Sequence, residues 1–205
     1  MEKRQKRVII TVIVALLVLI GAGVYKTFQL PNQLTFSTIG HPTIGKGQFQ
    51  VVLFEDFACV NCHHFTRNVL PRIAKDYIDT DKARLTVVPV AFEPGSNQLA
   101  NAAIAVHRIA PSQFLAFIIA LSEMQGIGKS GILRVAENVG GIDLERLAYA
   151  IDKKIFYGEI ERNLAWATSQ IPDFGTPMLF VNGYETSTDS FESLQRRIQQ
   201  LEKMQ

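Results

Sequence analysis

The sequence has few of the residues that mark a disulfide scaffold or a zinc domain. Only two cysteines, Cys59 and Cys62, occur in 205 residues. A framework of several disulfides is therefore excluded, and a structural zinc site would need both thiolates and two histidines. There is also no internal repeat and no low-complexity tract. The hydrophobic fraction of 47% and the charged fraction of 20% are typical of one folded domain.

The body of the chain also lacks an excess of charge of either sign. The formal net charge is +2, but five basic residues and one acid lie within residues 1–26. Residues 27–205 carry 16 basic and 18 acidic side chains, a net charge of −2. Proteins that bind a phosphate backbone draw most of their affinity from a basic surface. We therefore expect no nucleic acid partner.

The first 25 residues have the pattern of an export signal. A basic cluster at positions 3–7 precedes the eighteen uncharged residues Val8–Tyr25. As a helix this run would extend about 27 Å, close to the hydrocarbon thickness of a bilayer, about 30 Å. The basic flank should stay in the cytoplasm, so the rest of the chain is expected to be exported. Because the run is long for a signal peptide and lacks an A-x-A pattern, an uncleaved anchor of residues 8–25 is favoured over a cleaved signal.

Hydrophobic patterns and chain breakers divide the first half of the exported part. Residues 26–47 are predicted to be a tether with one short strand near Leu34–Ser37. Residues 48–95 contain two apolar runs, Phe49–Phe54 and Arg84–Phe92, with helical periodicity between them. This order predicts a β-α-β unit. Pro71 falls inside the helix and is expected to kink it, because proline removes a backbone donor.

The second half begins with an all-helical block. Residues 96–170 contain helical patterns separated by proline and glycine. Residues 171–205 return to strand at Pro177–Val181, turn at Asn182-Gly183, and end in a helix for which Asp189 is the predicted N-cap. The predicted fold class is therefore α/β, with a helical domain inserted after the β-α-β unit and a transmembrane or signal helix at the N-terminus.

Two motifs resemble those of a known family. Residues 54–62 read FEDFACVNC, and residues 175–183 read GTPMLFVNG. Together they look like the DsbA-like thiol:disulfide oxidoreductases of the thioredoxin superfamily. The resemblance covers about residues 45–203 and implies a thioredoxin fold with a helical domain between its two halves. It also implies an enzyme without a cofactor that exchanges disulfides with cysteine-containing proteins, most naturally as an oxidase.

The order of strand, tight turn, CxxC and helix predicts different roles for the two thiols. Cys59 should lie at the first turn of the helix, where free N–H groups and the helix dipole stabilise a thiolate. We therefore expect Cys59 to be the nucleophile. Cys62 should lie one turn further on the same side, near enough to form a disulfide and more shielded, as the resolving thiol. A static disulfide is the alternative, but so short a loop would stabilise the fold only weakly.

The resemblance implies roles for other residues around this pair. Pro177 matches the cis-proline loop that lies against the CxxC in this superfamily and exposes backbone to a substrate, and Thr176 would contact Cys59 or the incoming peptide. Val60 and Asn61 stand where the most oxidising members have Pro-His, which predicts an oxidising to intermediate reduction potential. His63 could restore part of the missing positive charge.

The position of a buried carboxylate departs from the family's pattern. The superfamily commonly has this group six residues before the first cysteine, where this sequence has Leu53. Glu55 and Asp56 could instead tune Cys62 or relay its proton. Charged residues at the end of a strand are more often solvated, however, and this is the interpretation that the sequence favours.

Two other functions would use the same residues. The run from Cys59 through Cys62 to His63 matches the attachment pattern for c-type haem, with Met124 or Met178 as an axial ligand. Alternatively, the two thiolates and one of the histidines at 63 and 64 could carry copper or zinc. Haem c domains are typically small and helical, whereas this motif follows a strand. Adjacent histidines on a helix point about 100° apart, so at most one could join the thiolates. No metal site is therefore predicted.

Export and thiol exchange together predict the cellular setting. The protein should lie in the periplasm or another extracytoplasmic space, anchored to the inner membrane by residues 8–25. Its expected substrates are unfolded or folding exported proteins with cysteines. The resemblance also implies a membrane redox partner, a DsbB-like oxidase.

The anchor can be tested by extraction. Because the apolar run is long enough to span a bilayer, the native protein should remain in the membrane fraction after alkaline carbonate treatment and retain Met1 or Glu2 at its N-terminus. Recovery of a soluble form that begins near Val24 would contradict the prediction.

Overall fold

The computed structural model describes residues 13–15, 33–124, 126 and 128–204. The chain divides into two units, residues 1–33 and 34–205. In the first unit, residues 13–15 are helical. The remainder of the predicted anchor lies outside the described residues, so the anchor stays a prediction. Of the helices that are described, none has the length and apolar character needed to cross a membrane.

A five-stranded mixed sheet forms the centre of the second unit. Its strands are β1 (Thr43–Gly45), β2 (Phe49–Glu55), β3 (Ala83–Pro89), β4 (Met178–Val181) and β5 (Tyr184–Thr186). Their order in the sheet is β1-β3-β2-β4-β5. Strand β2 pairs in parallel with β3 and antiparallel with β4, whereas β1 and β5 are antiparallel edge strands.

Strand β2 is buried on both faces, as its apolar sequence predicts. Side chains alternate between the two faces of a strand. Val51 and Leu53 therefore pack in the larger hydrophobic core, and Val52 and Phe54 pack in a smaller core on the opposite face. In the smaller core the ring of Phe54 stacks on Trp166, with 6.1 Å between centroids.

The helix after the CxxC is interrupted near Pro71, where the sequence predicts a kink. Helix α1 spans Val60–Asn68, and a short helix α2 spans Leu70–Ile73. A π-helical segment, Ala74–Ile78, follows. Pro71 lies in the first turn of α2, where a missing N–H group leaves no hydrogen bond unmade.

A helical region lies between β3 and β4 in the sequence, as predicted, and the last helix follows β5. Two buried asparagines connect this region internally and to the sheet. Asn101 donates to Ala150 O and accepts from Phe156 N, and Asn163 donates to Pro89 O at 2.9 Å. The region contains α3 (Ser96–Ile109), a 3₁₀ turn (Pro111–Gln113), α4 (Phe114–Ser122), α5 (Lys129–Val139), α6 (Leu144–Asp152) and α7 (Tyr157–Gln170), and the last helix is α8 (Phe191–Glu202).

Two local predictions are wrong. Residues 34–37 do not form a strand, and the first strand is Thr43–Gly45. The earlier segment is held instead by one backbone hydrogen bond, from Leu34 N to Gly183 O, and by the packing of Phe36 on Trp166. The N-cap of α8 is Ser190 rather than Asp189. The carboxylate of Asp189 instead accepts a hydrogen bond from the hydroxyl of Ser187, at 2.7 Å.

Gly47 provides a test of how closely the segments around β2 pack. A Cβ atom at this position would lie 2.1 Å from the carbonyl carbon of Lys82 and 2.2 Å from Ala83 N. Because backbone atoms cannot move aside cheaply, Gly47→Ala should lower the free energy of unfolding by about 1–3 kcal/mol in urea denaturation. A Cβ at Gly158, inside α7, would contact only the guanidinium group of Arg162, at 3.4 Å. The control Gly158→Ala should therefore not lower the free energy of unfolding, because alanine is favoured over glycine in a helix by about 0.5–1 kcal/mol, and equal losses in both variants would contradict the prediction.

Candidate active site

Cys59 lies at the N-terminus of α1. It is the N-cap residue, with an extended backbone (φ −74°, ψ 129°), and the helix begins at Val60. Its carbonyl accepts the first helical hydrogen bond, from His63 N at 3.0 Å. The thiol is partly exposed, and its Sγ donates to Thr176 O at 3.6 Å. The first cysteine therefore faces both solvent and the loop before β4.

Cys62 lies one turn further along α1 and is completely buried. Burial raises the pKa of the Cys62 thiol far above its ordinary value, and the negative charge that Glu55 can carry raises it further. The backbone N–H of Asp56 and the side chain of Thr176 act in the opposite direction, because both can donate to the sulfur. The environment of Cys62 thus favours the neutral thiol, in contrast to the accessible position of Cys59.

The loop before β4 contacts both cysteines. The peptide bond between Thr176 and Pro177 is cis, and both residues are half-buried. The carbonyl of Thr176 faces Cys59 and its side chain interacts with Cys62. The structure therefore brings together the two motifs that are far apart in the sequence.

The residues between and after the cysteines point in different directions. Val60 is 67% exposed and Asn61 is also exposed, so both are accessible beside Cys59. His63 is buried, and its Nε2 lies 2.7 Å from Phe57 O, while its Nδ1 has no hydrogen-bond partner among the described residues. His64 is exposed. His63 therefore faces the interior rather than the surface where a substrate would bind.

Glu55 is buried, so the expectation that it is solvated is wrong. The side chain is 1% exposed. The Thr66 hydroxyl donates to Oε1, whereas the buried Oε2 has no hydrogen-bond partner in the part of the chain that the structure describes. Burial raises the pKa of Glu55 to about 8; the Thr66 hydrogen bond opposes this shift, and the neighbouring charge of Asp56 adds to it. At neutral pH, Glu55 is thus a protonated acid close enough to Cys62 to affect the pKa of its thiol.

Asp56 is also fully buried, but its carboxylate accepts three hydrogen bonds from backbone N–H groups. Its Oδ1 accepts from Ala58 N at 2.8 Å. Its Oδ2 accepts from Phe92 N at 2.6 Å and from Glu93 N at 3.0 Å. Three N–H groups can stabilise a buried carboxylate. The expectation of a solvated side chain is wrong here as well, and the sequence gives no signal for the contact with Phe92.

The arrangement does not fit either metal alternative. Within the described ranges, no group of three or more His, Cys, Asp and Glu side chains could hold a metal ion. His63 already pairs with Phe57 O, and His64 lies on the exposed side of the helix. Covalent haem attachment would require access to the sulfur of Cys62, which is fully buried.

Comparisons with known proteins agree with this geometry. A family model described as thioredoxin matches residues 37–200. Disulfide bond formation protein D of Bacillus subtilis (strain 168) is 30% identical over 152 residues, which cover 70% of this chain and 68% of that protein. The crystal structure of oxidised BdbD from Bacillus subtilis has a TM-score of 0.73 at 25% identity, covering 82% of this chain and 96% of that one. DsbA of Chlamydia trachomatis has a TM-score of 0.75 at 24% identity, covering 85% and 99%.

The chain therefore belongs to the thioredoxin family, as the two motifs predict. Within this family it is a DsbA-like thiol:disulfide oxidoreductase. The matched region includes both sheet-forming halves and the helical region between them, so the predicted thioredoxin fold is confirmed.

The buried acid predicts a pH dependence of stability. Between its ordinary pKa of 4.5 and about 8, Glu55 holds a proton in the folded protein but not in the unfolded chain. The free energy of unfolding should therefore fall as the pH rises through this range, by up to about 1.4 kcal/mol per pH unit. Glu55→Gln keeps a neutral side chain of the same shape and should lack this fall.

Urea unfolding of the reduced proteins at several pH values between 5 and 8 would measure the difference. Glu161→Gln, at an exposed position, is the control and should follow the wild-type curve. Parallel curves for wild type and Glu55→Gln would contradict the raised pKa.

Proposed function

We propose that this protein donates disulfide bonds to cysteine-containing proteins that fold outside the cytoplasm, with Cys59 as nucleophile and Cys62 as resolving thiol. The observation that carries the proposal is the contrast between the two sulfurs. One is partly exposed at a helix N-terminus, whereas the other is fully buried beside a protonated acid. The relatives named as disulfide bond formation proteins support oxidation as the direction of exchange.

The oxidised enzyme reacts in two steps. A substrate thiolate attacks Sγ of Cys59 in the Cys59–Cys62 disulfide, so that a mixed disulfide forms and Cys62 leaves as a thiolate. A second substrate thiolate then attacks the substrate sulfur of the mixed disulfide and releases the Cys59 thiolate. The substrate loses two electrons and gains a disulfide, and the enzyme becomes a dithiol. A membrane redox partner that accepts these two electrons would restore the enzyme disulfide.

The proposal gives Glu55 a part in the first step. A thiolate at the buried Cys62 is unfavourable, because its pKa is raised. Glu55 is protonated at neutral pH, and within the described ranges its Oε2 has no hydrogen-bond partner, so it can give a proton to the departing sulfur. During reoxidation the same carboxylate can take the proton back. The proposal thus gives Glu55 the role of general acid and base for Cys62.

The remaining site residues have supporting roles. Thr176 and Pro177 would bind the backbone of the substrate beside Cys59, and Val60 and Asn61 would contact the substrate from the exposed end of α1. Asn61 offers a neutral hydrogen bond where the most oxidising members have a histidine. The expected reduction potential is therefore less positive than about −120 mV, the value of a strong oxidant.

The cellular setting is part of the proposal. The apolar residues 8–25, after a basic cluster, favour export and attachment to the inner membrane. In the periplasm or another extracytoplasmic space, unfolded exported proteins and a membrane oxidase would both be accessible to Cys59.

The two cysteine variants should fail in different ways. Cys59→Ser should abolish exchange, because the accessible sulfur is lost. Cys62→Ser should accumulate mixed disulfides when Cys59 attacks the disulfide of an oxidised partner protein, because the thiol of the same chain that would displace the partner is missing. Non-reducing gels of trapped complexes would measure both effects. Full turnover by Cys62→Ser would show that the assignment of roles is wrong.

Equilibration of the wild type with glutathione tests the direction of exchange separately. A disulfide donor should have a potential well above about −270 mV, the value of a reductant such as thioredoxin. A value near that of thioredoxin would overturn the oxidase proposal while leaving the roles of the cysteines intact.

A further inference from the structure

Thr66 lies on the buried face of α1, one turn after Cys62. Its side chain is completely buried, and its hydroxyl donates to Oε1 of Glu55 at 2.5 Å. The two residues are 11 positions apart in the sequence, and the bond joins the C-terminal end of β2 to α1. The buried acid is therefore attached to the helix that carries Cys62.

The hydroxyl of Thr66 bonds to this side chain rather than to its own helix. A threonine inside a helix commonly donates to the carbonyl four residues before it. Thr168 on α7 does so, with 2.9 Å between its Oγ1 and Leu164 O. A hydroxyl has a single proton to donate. In Thr66 that proton is directed to the carboxyl group of Glu55.

This hydrogen bond makes the two oxygens of Glu55 different. Oε1 accepts the Thr66 hydroxyl, whereas Oε2 is buried and has no hydrogen-bond partner among the residues that the structure describes. In a neutral carboxyl group one oxygen carries the proton and the other keeps its full capacity as an acceptor. The proton is therefore expected on Oε2, since Oε1 is already the acceptor. Thr66 thus determines which oxygen of Glu55 is protonated.

Thr66 also stabilises the carboxylate that remains when this proton leaves. Burial raises the pKa of Glu55 to about 8, and the hydrogen bond from Thr66 opposes this rise. A hydrogen bond to a charged acceptor is stronger than one to a neutral acceptor, so the bond strengthens as Glu55 loses its proton. Burial raises the pKa of the Cys62 thiol far above its ordinary value, so a thiolate at that position readily takes the proton.

We propose that Thr66 is a positioning residue for the exchange reaction, because its hydroxyl fixes the proton of Glu55 on Oε2 and stabilises the carboxylate left by proton transfer. This inference rests on the proposed function, in which Glu55 is the acid and base for Cys62. When a substrate thiolate attacks Sγ of Cys59, the enzyme disulfide breaks and its electron pair moves to the sulfur of Cys62. The proton on Oε2 passes to that sulfur, and the negative charge remains on Glu55 beside the Thr66 hydroxyl. Reoxidation returns the proton to Oε2.

The other titratable groups around Glu55 stay the same when only Thr66 is changed. The charge of Asp56, the next residue along the chain, raises the pKa of Glu55. On α1, Cys62 interacts with Glu55, and His63 is buried directly after it. In the oxidised enzyme Cys62 is part of the disulfide and does not titrate. A difference between variants at position 66 therefore reports the effect of the hydroxyl.

The pH dependence of the first step tests this role. The oxidised full-length protein is mixed with dithiothreitol at several pH values from about 6 to 10, and the rate constant is divided by the thiolate fraction of the reagent. In the wild type this rate constant should fall near pH 8, as Glu55 loses its proton. Thr66→Val keeps the shape of the side chain without the hydroxyl. It should lower the rate constant on the acidic side about tenfold and move the midpoint of the fall up by about one pH unit.

A second readout does not depend on activity. The infrared band of a protonated carboxyl group, assigned to Glu55 by its absence in Glu55→Gln, gives the pKa of Glu55 directly. Thr66→Val should raise this pKa by the same amount as the kinetic midpoint, because the carboxylate loses a donor. If the Thr66 hydroxyl instead accepted a proton from Glu55, its removal would lower the pKa. A lower pKa in Thr66→Val would therefore overturn the inference.

Two further variants separate the hydroxyl from the packing of the side chain. Thr66→Ser keeps the hydroxyl and loses one methyl group, so it should restore both the wild-type rate and the wild-type pKa. Thr86→Val is the matched control, because Thr86 is also completely buried and its hydroxyl pairs with that of Thr43 at 2.9 Å. It should keep the wild-type pH profile. If Thr66→Val does not fold, Thr66→Ala, which also lacks the hydroxyl, takes its place.

Other outcomes would contradict the inference in different ways. An unchanged pH profile and an unchanged Glu55 pKa in Thr66→Val would show that the hydroxyl has no role in proton transfer. A loss that Thr66→Ser shares in full would assign the effect to packing. If Glu55→Gln reacts as fast as the wild type, the acid role of Glu55 in the proposed function is wrong, and the inference falls with it. The infrared pKa distinguishes this case, because it would still respond to Thr66→Val.

Discussion

The site depends on one constraint, the burial of a carboxyl group and a thiol in the same interior. Neither Glu55 nor Cys62 has a cationic partner among the interactions that shift its pKa. The neutral form of each group therefore has the lower free energy in this interior. Ionisation of either group makes ionisation of the other less favourable. The difference between the two thiols follows from this arrangement, because burial makes a negative charge unfavourable on the sulfur of Cys62, whereas the sulfur of Cys59 is accessible.

The sheet brings the parts of the site to one edge. Strands β2 and β3 are parallel, so their C-terminal ends are adjacent, with Glu55 level with Pro89. Strand β4 is antiparallel to β2, so its beginning lies at the same edge, with Met178 level with Phe54. The residues directly beyond these ends carry the cysteines, the loop at Phe92 and the Thr176–Pro177 bond. Strand pairing within the core thus decides which loops meet.

Local sequence patterns could predict the elements that depend mainly on local interactions. The buried strand β2, the helix after the CxxC and the break near Pro71 all follow from hydrophobic runs and from proline chemistry. The burial of Glu55 and Asp56 could not be predicted in this way. Their burial depends on partners at Thr66 and Phe92, which only the folded chain brings near. The missed N-cap at Ser190 has a more local cause, because Asp189 and Ser190 are both good capping residues and only the backbone decides between them.

The position of Glu55 on β2 also limits how such a site can change during evolution. A strand repeats every two residues, so Leu53 and Glu55 point to the same face of the sheet. A carboxyl group at position 53 would therefore lie on the same side of the sheet as that of Glu55, the side that carries α1. A shift of one residue, to Phe54, would place it in the aromatic core on the opposite face. A buried acid that serves the α1 side of this sheet is therefore confined to alternate positions of β2.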